Sequence, residues 1–275
     1  MKNLFEKLQQ ESPLVHNITN YVTVNDCANI ILAAGGSPVM ADDAGEVSDI
    51  VSISKALYLN VGTLNQRTIE SMIIAGKKAN EMGIPVVLDP VGMGASGLRN
   101  QTVNELLQAI HFSAIKGNMS EIRSIYENAR TTSGVDAEEK DQINASNLSD
   151  AVELAKRLAR RFDAVVIVTG AVDIITDGRK TCTVSNGHPM MSKITGTGCM
   201  TGSLIASFSA ISREDVYSAA SLAVSLMGLA GERAHALMEE RGEGTSSMKR
   251  YLIDQMIHID YEIWKAGMKI ENYSE

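Results

Sequence analysis

The chain of 275 residues carries a formal net charge of −8 with 44% apolar residues. That balance excludes a general nucleic-acid surface, which needs a basic face, but not a phosphate site, for which backbone donors and one or two basic groups suffice. No run reaches about 18 uncharged apolar residues, so no membrane span is expected, and no long apolar run follows Lys2, so no signal peptide is expected.

The first helix is expected over residues 2–10, stopped by Ser12-Pro13. Leu14–Ile18 reads as a short strand, and Thr23-Val24-Asn25 starts a helix that Gly35-Gly36 ends. Pro38–Met40 reads as a strand before the acidic loop Ala41-Asp42-Asp43, and Ser48–Lys55 as a helix. Ala56–Val61 is a strand, and Asn65–Met82 a long helix closed by Gly83. Pro85–Leu88 is a buried strand running into Asp89-Pro90-Val91-Gly92-Met93-Gly94, and 101–110 a helix. Ser113–Lys116 is a strand, after which Gly117-Asn118-Met119-Ser120-Glu121 starts a helix. The polar, aperiodic stretch 128–147 reads as a surface loop.

Asp150–Arg161 is helical, and Ala164–Thr169 is the clearest strand. Val172–Thr176 and Lys180–Val184 form a hairpin about Asp177-Gly178-Arg179. A helix follows the Gly196–Cys199 turn to about Ala210, another spans Glu214–Arg241, and the last covers 246–260. Strands alternate with helices, and several strands are continuous apolar runs, as in a parallel sheet covered on both faces. Nothing divides the chain, so residues 1–275 are expected to form one doubly wound α/β domain. Ligands of such sheets bind beyond the carboxyl ends of the strands. There stand Asn17, Met40-Ala41-Asp42, Gly62-Thr63, Asp89, Lys116 with Asn118, and Thr169-Gly170.

The stretch Ile194-Thr195-Gly196-Thr197-Gly198-Cys199-Met200-Thr201-Gly202-Ser203 turns apolar at Leu204. A Gly- and Thr-rich turn opening a helix presents free N–H groups and the positive end of the helix dipole, a site for an anion. Cys199 carries the only proton-releasing side chain in the turn and stands where that dipole favours a thiolate. A helix capped by Thr197 and packed through its glycines would look the same. The three cysteines, Cys27, Cys182 and Cys199, are odd in number and far apart. They offer no zinc spacing and suit a reducing, cytoplasmic setting.

The succession Asp89-Pro90, Asn118-Met119-Ser120-Glu121, Val168-Thr169-Gly170 and Gly196-Thr197-Gly198-Cys199 resembles the ribokinase-like small-molecule kinases. The run from Val15-His16-Asn17-Ile18-Thr19-Asn20 to Asn29, then Gly35-Gly36-Ser37-Pro38-Val39-Met40-Ala41, with Leu88–Gly92 and the Gly196 turn, is similar to the hydroxyethylthiazole kinase family of thiamin salvage. The similarity spans about residues 12–260.

The resemblance implies a ribokinase-like fold with no β lid, and ATP-dependent phosphorylation of the primary alcohol of 4-methyl-5-(2-hydroxyethyl)thiazole. It implies Met40 and Gly196 at the thiazole with Asn25 nearby, Lys116 and Thr169 at ATP, and Asp89 with Glu121 around magnesium. It implies Gly196, Thr197 and Gly198 as the anion hole, and a homotrimer with active sites between subunits. Most of the superfamily has Asp where this chain has Cys199, which makes the thiol the candidate base.

Each residue type also has an ordinary use: Asp89 in the turn before Pro90, Glu121 as a first-turn carboxylate, Lys116 as a strand-end charge, Thr169 in a turn, Met40 in the core, and Asn25 as a helix cap. Cys199 as the nucleophile of an acyl-transfer enzyme would need a histidine base, and the five histidines carry no partner motif. A nicotinamide-dependent enzyme using Gly92-Met93-Gly94 lacks G-x-G-x-x-G after the first strand. Within the kinase fold, a hydroxymethylpyrimidine kinase is the nearest competitor.

Overall fold

The computed structural model describes residues 1–128 and 147–273, so the loop expected over 128–147 lies, apart from its two end residues, outside the described residues. The elements run α1 (Lys2–Glu11), β1 (Leu14–Ile18), α2 (Val24–Ala34), β2 (Ser37–Val39), α3 (Val47–Ile53), β3 (Ala56–Asn60), α4 (Gln66–Glu81), β4 (Val86–Asp89), α5 (Gly97–Ala109), β5 (Ala114–Asn118) and α6 (Met119–Asn128). They continue with α7 (Leu148–Phe162), β6 (Val165–Thr169), β7 (Asp173–Thr176), β8 (Thr181–Val184), a 3-10 turn (Pro189–Lys193), α8 (Thr197–Ile211), α9 (Val216–Glu240), α10 (Thr245–His258), α11 (Tyr261–Gly267) and β9 (Ile270–Asn272).

Among the described residues nine strands join one sheet in the order β2-β1-β3-β4-β5-β6-β7-β8-β9. Neighbours from β2 to β6 are parallel, and β7, β8 and β9 attach antiparallel. The six parallel strands therefore end on one side, where the loops carrying the candidate residues gather.

Alternation along the buried strands divides the core between the two faces. Ala56 and Tyr58 pack with α1, α2, α8, α9 and α10, whereas Leu57 and Leu59 pack with α3 to α7. Every residue of α8 from Cys199 to Ile211 is buried, as in a helix enclosed on all sides. Gly202 lets α8 lie close to β3: a β-carbon there would stand 2.5 Å from the Tyr58 ring.

Several helix starts are fixed by side-chain caps rather than by apolar periodicity. Ser96 Oγ accepts from Arg99 N at 3.3 Å and starts α5 at Gly97, four residues before the position expected from periodicity. Asp215 Oδ1 accepts from Ser218 N at 3.1 Å and starts α9. The chain does not end on a helix over 246–260. After α10 it adds α11, which buries Trp264, and then β9, whose three residues pair with β8.

Candidate active site

Asn60 and Asp89 end adjacent parallel strands as register partners. Asp89 is fully buried, and its Oδ2 accepts from Tyr58 Oη at 2.7 Å, Asn60 Nδ2 at 3.1 Å and Lys116 Nζ at 3.1 Å. Its other oxygen, Oδ1, is buried without a hydrogen-bond partner. A buried carboxylate with one oxygen held by three donors and the other free has a lone pair directed at something that arrives with a ligand. Burial works to lower the Lys116 pKa, but the charges of Asp89, Glu121 and Cys199 outweigh it and leave the ammonium held above its usual value. Lys116 Nζ also lies 3.1 Å from where a β-carbon would stand on Gly198, so the cation reaches the glycine turn.

Asn118 and Glu121 form a reciprocal helix cap. Asn118 Oδ1 accepts from Glu121 N at 2.9 Å, and Glu121 Oε2 accepts from Asn118 N at 2.8 Å. Glu121 Oε1 accepts from Gly92 N at 2.8 Å, fastening the loop after β4 to the end of β5. Burial and then the Asp89 charge raise the Glu121 pKa, against Lys116 and the two backbone donors. The Asn-x-x-Glu segment is thus a cap whose carboxylate is drawn into the cluster rather than a solvated first-turn charge. Arg99 donates to Val91 O of the same loop and, at 2.8 Å, to Gly62 O of the loop after β3, tying the two loops together.

Gly196 precedes α8 with φ of +96°, a left-handed conformation that favours glycine. No side chain caps this helix, so Thr197 is its first residue and not its cap. The helix start and Lys116 together supply positive potential at one point. Cys199, one residue further in, is buried, and its sulfur accepts from Asn20 Nδ2 at 3.4 Å and Asn60 Nδ2 at 3.3 Å. No histidine of the described residues hydrogen-bonds it, which removes the support for an acyl-transfer reading.

Met40, half-buried, follows β2 and packs against the core. The adjacent Ala41 O is bonded to His16 Nε2 at 2.7 Å, and burial lowers the pKa of that histidine. Thr169 ends β6 with Oγ1 3.4 Å from Gly117 O. Beside it, Gly170 N donates to Asp173 Oδ1 at 2.8 Å. Burial pushes the Asp173 carboxyl up to about 7, against that N–H and the Lys116 charge.

Asn25 stands apart: it is exposed and accepts from Asn29 Nδ2 at 2.9 Å, and the helix cap is Thr23. The residues that reach Gly196 are the cap Thr23 and, in the first turn of α2, Asp26, the latter paired with Lys249 of α10 at 2.6 Å. The structure thus brings Asp89, Lys116, Glu121, Gly198 and Cys199 together, with Thr169 beside them and Met40 at the edge strand.

Sequence reasoning missed Tyr58, Asn60, Asn20 and Asp173. Tyr58 sits inside the apolar run ALYLN and read as core. Only the pairing of β3 with β4 shows that Asn60 faces Asp89.

Among the described residues no group of three or more His, Cys, Asp or Glu side chains could hold a metal ion, and no helix is long and apolar enough to cross a membrane. The family model of the hydroxyethylthiazole kinase family matches residues 5–262. A hydroxyethylthiazole kinase of Alkaliphilus oremlandii is 49% identical over 268 residues, 98% of this chain and 96% of its own. One of Ruminiclostridium cellulolyticum is 50% identical over 268 residues, 97% of this chain and 95% of its own. A solved hydroxyethylthiazole kinase structure from Pyrococcus horikoshii superposes with a TM-score of 0.87 at 34% identity, over 99% of this chain and 98% of its own. A ribokinase-like protein of Enterococcus faecalis, 12% identical with a TM-score of 0.62, shares the fold.

Proposed function

The chain belongs to the hydroxyethylthiazole kinase family, and from that premise we propose a division of labour among the residues at the strand ends. The protein acts as one kinase domain, transferring the γ-phosphoryl group of ATP to the primary alcohol of 4-methyl-5-(2-hydroxyethyl)thiazole, a reaction of thiamin salvage. Phosphoryl transfer asks for positioning and charge neutralisation more than covalent chemistry. The observation that carries the reading is the meeting of Lys116, Asp89 and the uncapped start of α8 around Gly198.

The amides of Gly196, Thr197 and Gly198 and the Lys116 ammonium take the charge that develops on the transferring group. Thr169 and the Gly170 turn contact the nucleotide phosphates. Met40 and Gly196 border the thiazole, for which a soft apolar wall is suitable. Cys199 accepts the proton of the substrate hydroxyl as that oxygen bonds to phosphorus and the bond to ADP breaks.

Asp89 and Glu121 fit a magnesium ion. Asp89 Oδ1 is unpartnered, and each Glu121 oxygen holds one N–H and keeps a second lone pair. Two carboxylates with the remaining positions left to phosphate and water is the usual manner of holding this ion, which would neutralise charge on the β- and γ-phosphates. Exposed Tyr21 and Val22, next in the chain to Asn20, support a trimer whose subunits close one another's sites, with the outward-facing Asn25 offered to a neighbour. Three free buried cysteines support a cytoplasmic setting.

Purified protein with ATP and magnesium is expected to yield thiazole phosphate and ADP in equal amounts, and to prefer the thiazole alcohol over hydroxymethylpyrimidine. No phosphate ester from the thiazole would overturn the reading.

A further inference from the structure

We infer that Asn20 and Asn60 are positioning residues for Cys199, a built-in pair of donors that holds its sulfur as a proton acceptor. The inference rests on the reading of Cys199 as the base for the substrate alcohol.

The direction of both amides is set by the backbone. Asn60 Oδ1 accepts from Gly62 N at 2.9 Å, so its NH2 end must face the other way, where its two hydrogens are shared among Tyr58 Oη at 2.8 Å, Asp89 Oδ2 at 3.1 Å and Cys199 Sγ at 3.3 Å. Asn20 Oδ1 accepts from Thr23 N and from Thr23 Oγ1, each at 3.1 Å, so its NH2 end likewise faces the sulfur, at 3.4 Å. Asn20 Nδ2 also donates to Asn60 Oδ1 at 3.0 Å, locking the two amides together. Turning either amide over would set N–H against backbone N–H. The sulfur therefore meets two donors and no carbonyl from this pair. Both N–H groups favour the thiolate over the thiol, and a thiolate that takes them keeps a lone pair for the alcohol proton.

The ionisable groups around Cys199 are Cys27 of α2, Tyr58 of β3, Asp89 of β4 and Lys116 of β5, with Glu121 of α6 behind Lys116. Lys116 is the one cation among them. Burial pushes the Cys27 thiol up to about 11, and burial and then the Asp89 charge raise the Tyr58 hydroxyl above its usual value, so both favour the neutral form.

The test is the pH titration of thiolate absorbance near 240 nm, taken as the difference between protein with Cys199 and its Cys199→Ala counterpart. It is run in the wild-type and Asn20→Ala backgrounds beside the pH profile of kcat. In Asn20→Ala the Cys199 thiolate signal is expected to appear at higher pH than in the wild type, because one donor to the sulfur is lost. The acidic limb of kcat should move with it, and activity should recover at alkaline pH. A midpoint that stays in place, with kcat lowered equally at all pH values, would overturn the inference and leave Asn20 structural. A midpoint that moves while the kcat limb does not would uphold the donor pair and instead refute Cys199 as the base. Should Asn20→Ala not fold, Asn20→Ser, too short to reach the sulfur, carries the same comparison.

Discussion

Lys116 Nζ lies 3.1 Å from Asp89 Oδ2, with the lysine side chain 5% and the aspartate 0% exposed. Two opposite charges so deep in the protein depend on each other: removing one leaves the other buried and uncompensated, at a cost of about 3–5 kcal/mol. Lys116→Met is therefore expected to lose stability of that order in urea unfolding, and activity with it. Adding Asp89→Asn to Lys116→Met should restore much of the stability, because no charge then remains unpaired, while the double variant stays inactive. Additive losses of stability would show that Tyr58 and Asn60 alone hold Asp89.

Asp173 gives a pH dependence of determined sign. An unfolded carboxyl titrates near 3.9, whereas burial pushes this one up to about 7. Between those values the folded chain binds more protons than the unfolded chain, so this group's contribution to stability falls as pH rises from about 4 to 7. Asp173→Asn keeps an oxygen for Gly170 N and does not titrate. The variant should gain on wild type between pH 5 and pH 8 by on the order of 1–3 kcal/mol, read from thermal melts at the two pH values. A difference independent of pH would mean that Asp173 is ionised throughout.

Tyr21 is 79% and Val22 55% exposed, on the loop between β1 and α2 next to Asn20. A small apolar substrate must be sealed from water during transfer, and a neighbouring subunit resting on these side chains would do so. Sedimentation is expected to show a trimer, and Tyr21→Glu to shift it toward monomer with loss of activity. A fully active monomer at low concentration would refute shared sites.

The glycine turn, the Asp-Pro corner and the Asn-x-x-Glu cap were legible because each is a local pattern with a local physical reason. Long-range partners were not. Tyr58 and Asn60 enter the site only through the register of β3 on β4, and Asn20 only because α8 brings Cys199 against it. Asn25 and Asp26 differ by one position, about a quarter turn of helix. That quarter turn decides which faces solvent and which faces Gly196, and the order of residues alone does not set it. The edge strand Ile270–Asn272 is too short for any period to show, and exists because β8 offers an unpaired side.

The chemistry of Cys199 can be tested by exchange for a carboxylate. A carboxylate with a reference pKa of about 3.9 is ionised at neutral pH, while a free thiol at about 8.5 is mostly protonated. The N–H groups of Asn20 and Asn60 that meet at the sulfur would serve a carboxylate equally, since both are donors. Cys199→Asp is therefore expected to keep activity at neutral pH or raise it, with its acidic limb moved to lower pH. Cys199→Ala removes the acceptor but leaves Lys116 and the α8 amides in place, so it should lose part of kcat, at or below the low end of the about 10²–10⁴-fold a positioned base contributes, with KM for ATP little changed. The loss is partial because a primary alcohol in a loose transition state needs modest help from a base. A folded but inactive Cys199→Asp protein beside a fully active Cys199→Ala protein would show that no base acts at this position.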